Sequence, residues 1–167
     1  MIRTFLAVLL LSIVGCGTIP QSAEEMRELY RAGPPPGGSK AERTVERPFQ
    51  QVLADVRRNA DRCFNVVTDH STQSSAGFGQ SRLKVRYRST TARTSDSSGE
   101  LLVRMLVAYA GRQPEGGYYA VLGDLVAVSP TTTRITVCGS NGSSWREPIE
   151  AVFTWAAGQD RGCPMLP

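Results

Sequence analysis

Apolar residues recur at helical spacing in two long segments and at alternate positions in the stretch between them. Phe49, Val52, Leu53, Val56, Ala60 and Cys63 stand three or four residues apart, with Arg57, Arg58, Asp61 and Arg62 on the rest of the circumference. That spacing predicts an amphipathic helix, and Pro48 suits its first turn, where a missing N–H costs nothing. Ile149, Val152, Phe153 and Ala156 predict a second helix after Pro148, with Gly158 as its stop. Between the two the period changes. Leu83, Val85 and Tyr87 alternate with Lys84, Arg86 and Arg88, the signature of a half-buried strand. Leu101 to Tyr109, Tyr118 to Val128 and Arg134 to Cys138 predict three more strands, with a bulge at Gly123-Asp124. Short connections favour antiparallel neighbours. The expected fold is therefore α+β: a helix, a four-stranded antiparallel meander and a helix in two layers, both helices on one face of the sheet.

The chain before this pattern has its own organisation. Ser22 and Glu25 form a capping-box pair ahead of a short helix through Met26, Leu29 and Tyr30 that ends at Gly33. Few apolar residues make that helix marginal alone. Gly33-Pro34-Pro35-Pro36-Gly37-Gly38-Ser39 has the composition of a tether. Thr44 to Arg47 is expected to be a short edge strand, with the domain boundary near Lys40–Arg43. The expected division is residues 1–15 as leader, 16–43 as anchor, helix and tether, and 44–167 as the folded domain.

The first residues combine a charged start at Arg3 with an apolar run from Phe5 to Val14. Ten residues are too few to cross about 30 Å of hydrocarbon, which needs about 20, so the run reads as a secretory signal. It closes on Ile13-Val14-Gly15-Cys16, which resembles the lipobox of bacterial lipoproteins. That resemblance implies cleavage after Gly15, a diacylglyceryl thioether on Cys16 and acylation of the new amine by a fatty acid such as palmitate. The competing reading is an ordinary leader cut near Gly17 or Ile19, with Cys16 left free. Two or more acyl chains make attachment effectively stable. Gly17 in place of an aspartate favours the outer membrane, facing the periplasm.

Loss of Arg3 with the leader leaves 18 basic against 15 acidic side chains, a balance of +3. That is too mild for a nucleic-acid binder. It is compatible with an anionic surface or polymer. Export places Cys63, Cys138 and Cys163 in an oxidising compartment. The end of the first long helix can approach the segment after the second, which favours a Cys63–Cys163 disulfide and leaves Cys138 as the odd thiol.

Catalytic chemistry finds little purchase. Asp69-His70-Ser71 holds triad residue types, but three consecutive residues cannot face one another as a triad must. Gly77-Phe78-Gly79 lacks the strand–turn–helix setting of a phosphate loop. His70 is the sole histidine and no Cys-x-x-Cys occurs, so no metal and no cofactor are expected. An enzyme is not expected either, unless His70, Asp69 and Asp124 converge in one cleft. Lys84, Arg86 and Arg88 share a strand face, and Arg104 is expected beside them across the sheet. Those four are the candidate contact for an anionic partner. Leu102, Leu106 and Ala108 would add apolar surface suited to an envelope protein partner.

Pro48-Phe49 opening the helix, Arg62-Cys63-Phe64-Asn65 closing it, Trp155-Ala156-Ala157-Gly158 and Gly162-Cys163-Pro164 resemble a group of small proteobacterial membrane lipoproteins. The element order is similar to helix-grip domains, such as that of the lipoprotein C subunit of the outer-membrane β-barrel assembly machine. The resemblance implies a lipid-anchored binding or scaffolding domain, or an accessory subunit of an outer-membrane assembly or secretion complex. It brings no catalytic residue.

Overall fold

The structure, a computed structural model, describes residues 20–33, 38–73, 80–108, 114–140 and 142–167. The lipobox and Cys16 lie outside the described residues, as do most of the proline run, Gly77 to Gly79 and Asn141.

Among the described residues the fold is α+β, with one open antiparallel sheet of six strands rather than four and three α-helices. In chain order the elements are α1 (Ala23–Ala32), β1 (Ser39–Val45), α2 (Phe49–Cys63), β2 (Val67–Gln73), β3 (Gln80–Arg93), β4 (Ser98–Val107), β5 (Tyr118–Ser129), β6 (Thr132–Gly139) and α3 (Arg146–Ala156). Across the sheet the order is β1-β6-β5-β4-β3-β2. The meander expected from sequence is β3 to β6. Each edge carries one further strand that polar composition disguises: β1 reads Ser-Lys-Ala-Glu-Arg-Thr-Val and β2 reads Val-Thr-Asp-His-Ser-Thr-Gln. Edge strands need bury little, so they lack the apolar alternation by which strands are recognised. The boundary expected near Lys40–Arg43 falls inside β1.

α2 and α3 cover one face. Phe49, Val52, Val56 and Ala60 of α2 and Ile149, Val152 and Phe153 of α3 pack on Val85, Tyr87, Leu101, Val103, Val121, Leu125, Ile135 and Val137. Phe64 meets Trp155 with ring centroids 5.2 Å apart, and Tyr87 meets Trp145 at 6.0 Å. Arg47 ties both helices together, donating to Ala156 O and to Asp55 Oδ2, each at 2.8 Å. The Cys63–Cys163 disulfide closes a separation of 100 residues. Behind it the tail turns back, Leu166 enters the core, and the Tyr87 hydroxyl donates to the Pro167 oxygen. Closing a loop of this length contributes about 4–5 kcal/mol on the chain-entropy view.

α1 occupies the opposite face. Ser22 caps it, its hydroxyl accepting from Glu25 N at 3.1 Å, while Glu25 Oε2 accepts from Gln21 N at 2.7 Å. Met26 is buried against Leu122 of β5 and Cys138 of β6, flanked by Tyr30, Leu102 and Tyr119. Arg27 then makes a two-pronged bond to Glu100 of β4, Nε to Oε2 and Nη2 to Oε1, both at 2.8 Å. Docking begins before the helix: Tyr119 N donates to Pro20 O at 2.8 Å. A helix marginal alone is thus held by a few buried apolar contacts and a half-buried ion pair. The two helices expected on one face, α2 and α3, do share it, and α1 adds a third on the other.

The bulge is also displaced from its expected place. Between β4 and β5 the register shifts from Val103 opposite Val121 to Arg104 opposite Tyr119, so the extra residue is Ala120. Gly123 stays in regular pairing, opposite Leu101 and Val137. An extra residue lets Ala120 and Val121 both enter the core while Tyr119 keeps company with Arg104.

Candidate functional site

Alternation along β3 sends Val85 and Tyr87 into the core and Lys84, Arg86 and Arg88 to the far face, where all three are exposed. The pairing of β3 with β4 completes the group. Arg88 stands directly opposite Arg104, and Arg86 directly opposite Leu106. On the other side of β3, Val67 stands opposite Arg86 and Asp69 opposite Lys84. The four cations expected from sequence are therefore brought together on the half of the sheet that α1 leaves open. Among the described residues, no ion pair engages any of the four. Like charges directly opposite one another in a sheet are unfavourable. Several other arginines of this chain find acids, as Arg27 does in Glu100 and Arg62 in Asp160. Among the described residues, Asp69 is the one acid that stands opposite any of these four cations, and it makes no ion pair with Lys84.

The patch has an apolar floor. Val67, Lys84, Arg86, Leu106, Val107 and Ala108 line an open pocket of about 300 Å³, and Val67 is 56% exposed. Leu106 and Ala108 are where the sequence places them. Leu102 differs, since it packs toward Met26, Leu122 and Cys138 at the margin of the covered half. Val67 and Tyr119 escape a sequence reading. The first lies on the disguised strand β2, and the second reaches this face through the unrecognised bulge at Ala120.

The turn entering β5 is shaped by glycine. Gly117 N donates to Pro114 O at 2.9 Å, and Gly116 and Gly117 take φ of 88° and 87°. A Cβ on Gly117 would stand 2.3 Å from Met105 O, so no other residue fits beside the strand that carries Arg104.

Beneath α1 lies a second polar group. The Tyr30 phenol lies beside the side chains of Asp124 and Thr136, and Thr136 Oγ1 donates to Glu42 Oε2 at 3.0 Å. Burial pushes the Tyr30 phenol up to about 12 and raises the Asp124 carboxyl above the usual range. Burial also raises the Cys138 thiol, which is free and 1% exposed. A shielded, protonated thiol is chemically inert. These groups fasten α1 to the sheet.

His70, Asp69 and Asp124 do not converge. Asp69 pairs with Lys84 and His70 with Leu83, so alternation puts them on opposite faces of β2. His70 Nε2 lies 2.8 Å from Thr68 Oγ1. Asp124 is three strands away on β5. Among the described residues, no group of three His, Cys, Asp or Glu side chains is placed to hold a metal ion. Among the described residues, no helix is long and apolar enough to cross a membrane. No protein-family model matches this chain, and no curated protein matches it either.

Proposed function

We propose that this protein is a lipid-anchored component of a bacterial cell envelope, fastened through Cys16 and facing the periplasm from the outer membrane. Its α+β domain binds or scaffolds an anionic partner through the open half of the sheet. The lipobox Ile13-Val14-Gly15-Cys16 supports the anchor. The register that sets Arg88 opposite Arg104, with Arg86 and Lys84 beside them and no ion pair to any of the four among the described residues, supports the binding face.

The anchor is tested by the mass of the native polypeptide. Loss of residues 1–15 and a gain of diacylglyceryl and acyl groups at Cys16 is expected; an unmodified thiol would reject it. The binding face is tested by Arg86→Glu combined with Arg88→Glu. The double variant should lose most of its salt-sensitive sedimentation with anionic vesicles or sacculi, and binding equal to that of the parent protein would reject the assignment.

A second reading is an accessory lipoprotein subunit of an outer-membrane assembly or secretion complex. The exposed Val67 and the apolar floor at Leu106 and Ala108 favour it. Crosslinking in intact envelopes would then capture one defined protein through β2 or β4.

A further inference from the structure

The chain from the anchor to the body is short, and where it lands decides how the body can sit. Pro20 is already fixed to the sheet, its carbonyl accepting from Tyr119 N at 2.8 Å. Tyr119 is the register partner of Arg104, and Arg104 that of Arg88. Strands lie about 4.8 Å apart, so the Arg88–Arg104 pair begins one strand from the docking point and ends about 10 Å from it. Three residues separate Cys16 from Pro20, so the four steps of chain between them reach at most about 14 Å. α1 and β1 both lie on the sheet, so the run between them in sequence adds nothing to that reach. A lipid on Cys16 therefore brings the cationic half of the sheet close to the headgroups, and α1 with it.

Charge selects what the face meets there. Lys84, Arg86, Arg88 and Arg104 make no ion pair among the described residues, whereas several arginines on the helical side are held by acids, though Arg146 and Arg161 are not. Arg47 and Arg58 bind Asp55, Arg62 binds Asp160, and Arg43 binds Glu150. From these observations, and resting on the proposed lipidation of Cys16, we infer that the open half of the sheet lies against the anionic headgroups of the membrane that holds the anchor. The four cations are the contacts and Val67 stands at the rim. The short leash supplies a high local concentration of headgroups, and each cation near an anionic surface strengthens attachment about fivefold. A cell-wall polymer is the alternative anion, but it requires the face to turn away from the bilayer that the leash draws it toward.

Arginine-directed modification with phenylglyoxal, read by mass spectrometry, tests the orientation. The chain from Cys16 onward is coupled through that thiol to a maleimide lipid in vesicles of phosphatidylcholine, with or without phosphatidylglycerol. Chemical coupling makes the result independent of whether cells acylate Cys16, which the mass of the native polypeptide decides separately. Arg86 and Arg88 are expected to be protected at least fivefold on the anionic vesicles, with protection lost in high salt. Arg58, exposed on α2, should react equally on both. Equal reactivity of Arg86 and Arg88 on the two vesicles would overturn the inference, as would protection that arises only when peptidoglycan fragments are added.

Discussion

Met26 of α1 and the free thiol of Cys138 are buried in one small cluster with Leu122, on the face of the sheet that α2 and α3 do not touch. An element outside the main core thereby seals a reactive group that would otherwise face solvent. The thiol in turn reports whether α1 is docked.

Met26→Ala removes most of the apolar seal. Deleting a buried methionine side chain costs about 2 kcal/mol or more, and here the loss falls on local opening of α1. Labelling of Cys138 by a thiol reagent in native buffer should accelerate about thirtyfold, with little change in the unfolding midpoint of the main core. An unchanged labelling rate would show that α1 does not gate the thiol.

Glu100 holds the other prong of α1. Glu100→Ala strands a half-buried Arg27 guanidinium and should cost about 1–3 kcal/mol of local stability. Amide hydrogen exchange from Met26 to Tyr30 should quicken while α2 and α3 keep their protection. Uniform quickening across the whole domain would instead make α1 part of the global unfolding unit.

Cys63→Ser, or Cys163→Ser, releases the tail that returns Leu166 to the core. A loss of about 2–5 kcal/mol is expected in denaturant titration. Cleavage by protease should appear first after Gly158. Cys138→Ser should leave the disulfide intact, and a non-reducing digest checks it.

The Tyr30 phenol gives α1 a pH dependence. Its folded value is raised to about 12 by burial, above the ordinary 10. The unfolded chain therefore loses that proton first, and the contribution is fully present below about pH 10 and lost as pH rises toward 12. Tyr30→Phe should flatten the stability curve across that window. Parallel curves for parent and variant would contradict the assignment. At the acid end, the Arg62 guanidinium holds Asp160 down at about 2. That contribution is present above about pH 4 and fades as pH falls toward 2.

The α+β class, the long helices and the central strands were legible because each buries a regular stripe. Phe49 to Cys63 and Leu83 to Tyr87 show it most clearly. The Cys63–Cys163 bond was legible for the same reason, since two helices on one face bring their ends together. β1 and β2 were not, because edge strands made of Ser, Lys, Glu, Thr and Asp carry no such stripe. The docking of α1 was hidden too. It rests on Met26, Tyr30 and an Arg27–Glu100 bond spanning 73 residues, which no local pattern encodes. On the candidate face, parity along β3 revealed Lys84, Arg86 and Arg88. The partnership of Arg88 with Arg104 needed the register.

The disulfide divides the chain into a closed ring and a free lead. β2 to β6 and α3 lie between Cys63 and Cys163, whereas α1, β1 and the body of α2 precede the first sulfur. Tension applied from the N-terminus would strip α1 away, unzip β1 from β6, and then pull α2 out of its groove. There the extension would halt, because the remaining strands are laced covalently. A pull on that end would thus lengthen the domain only to a set limit.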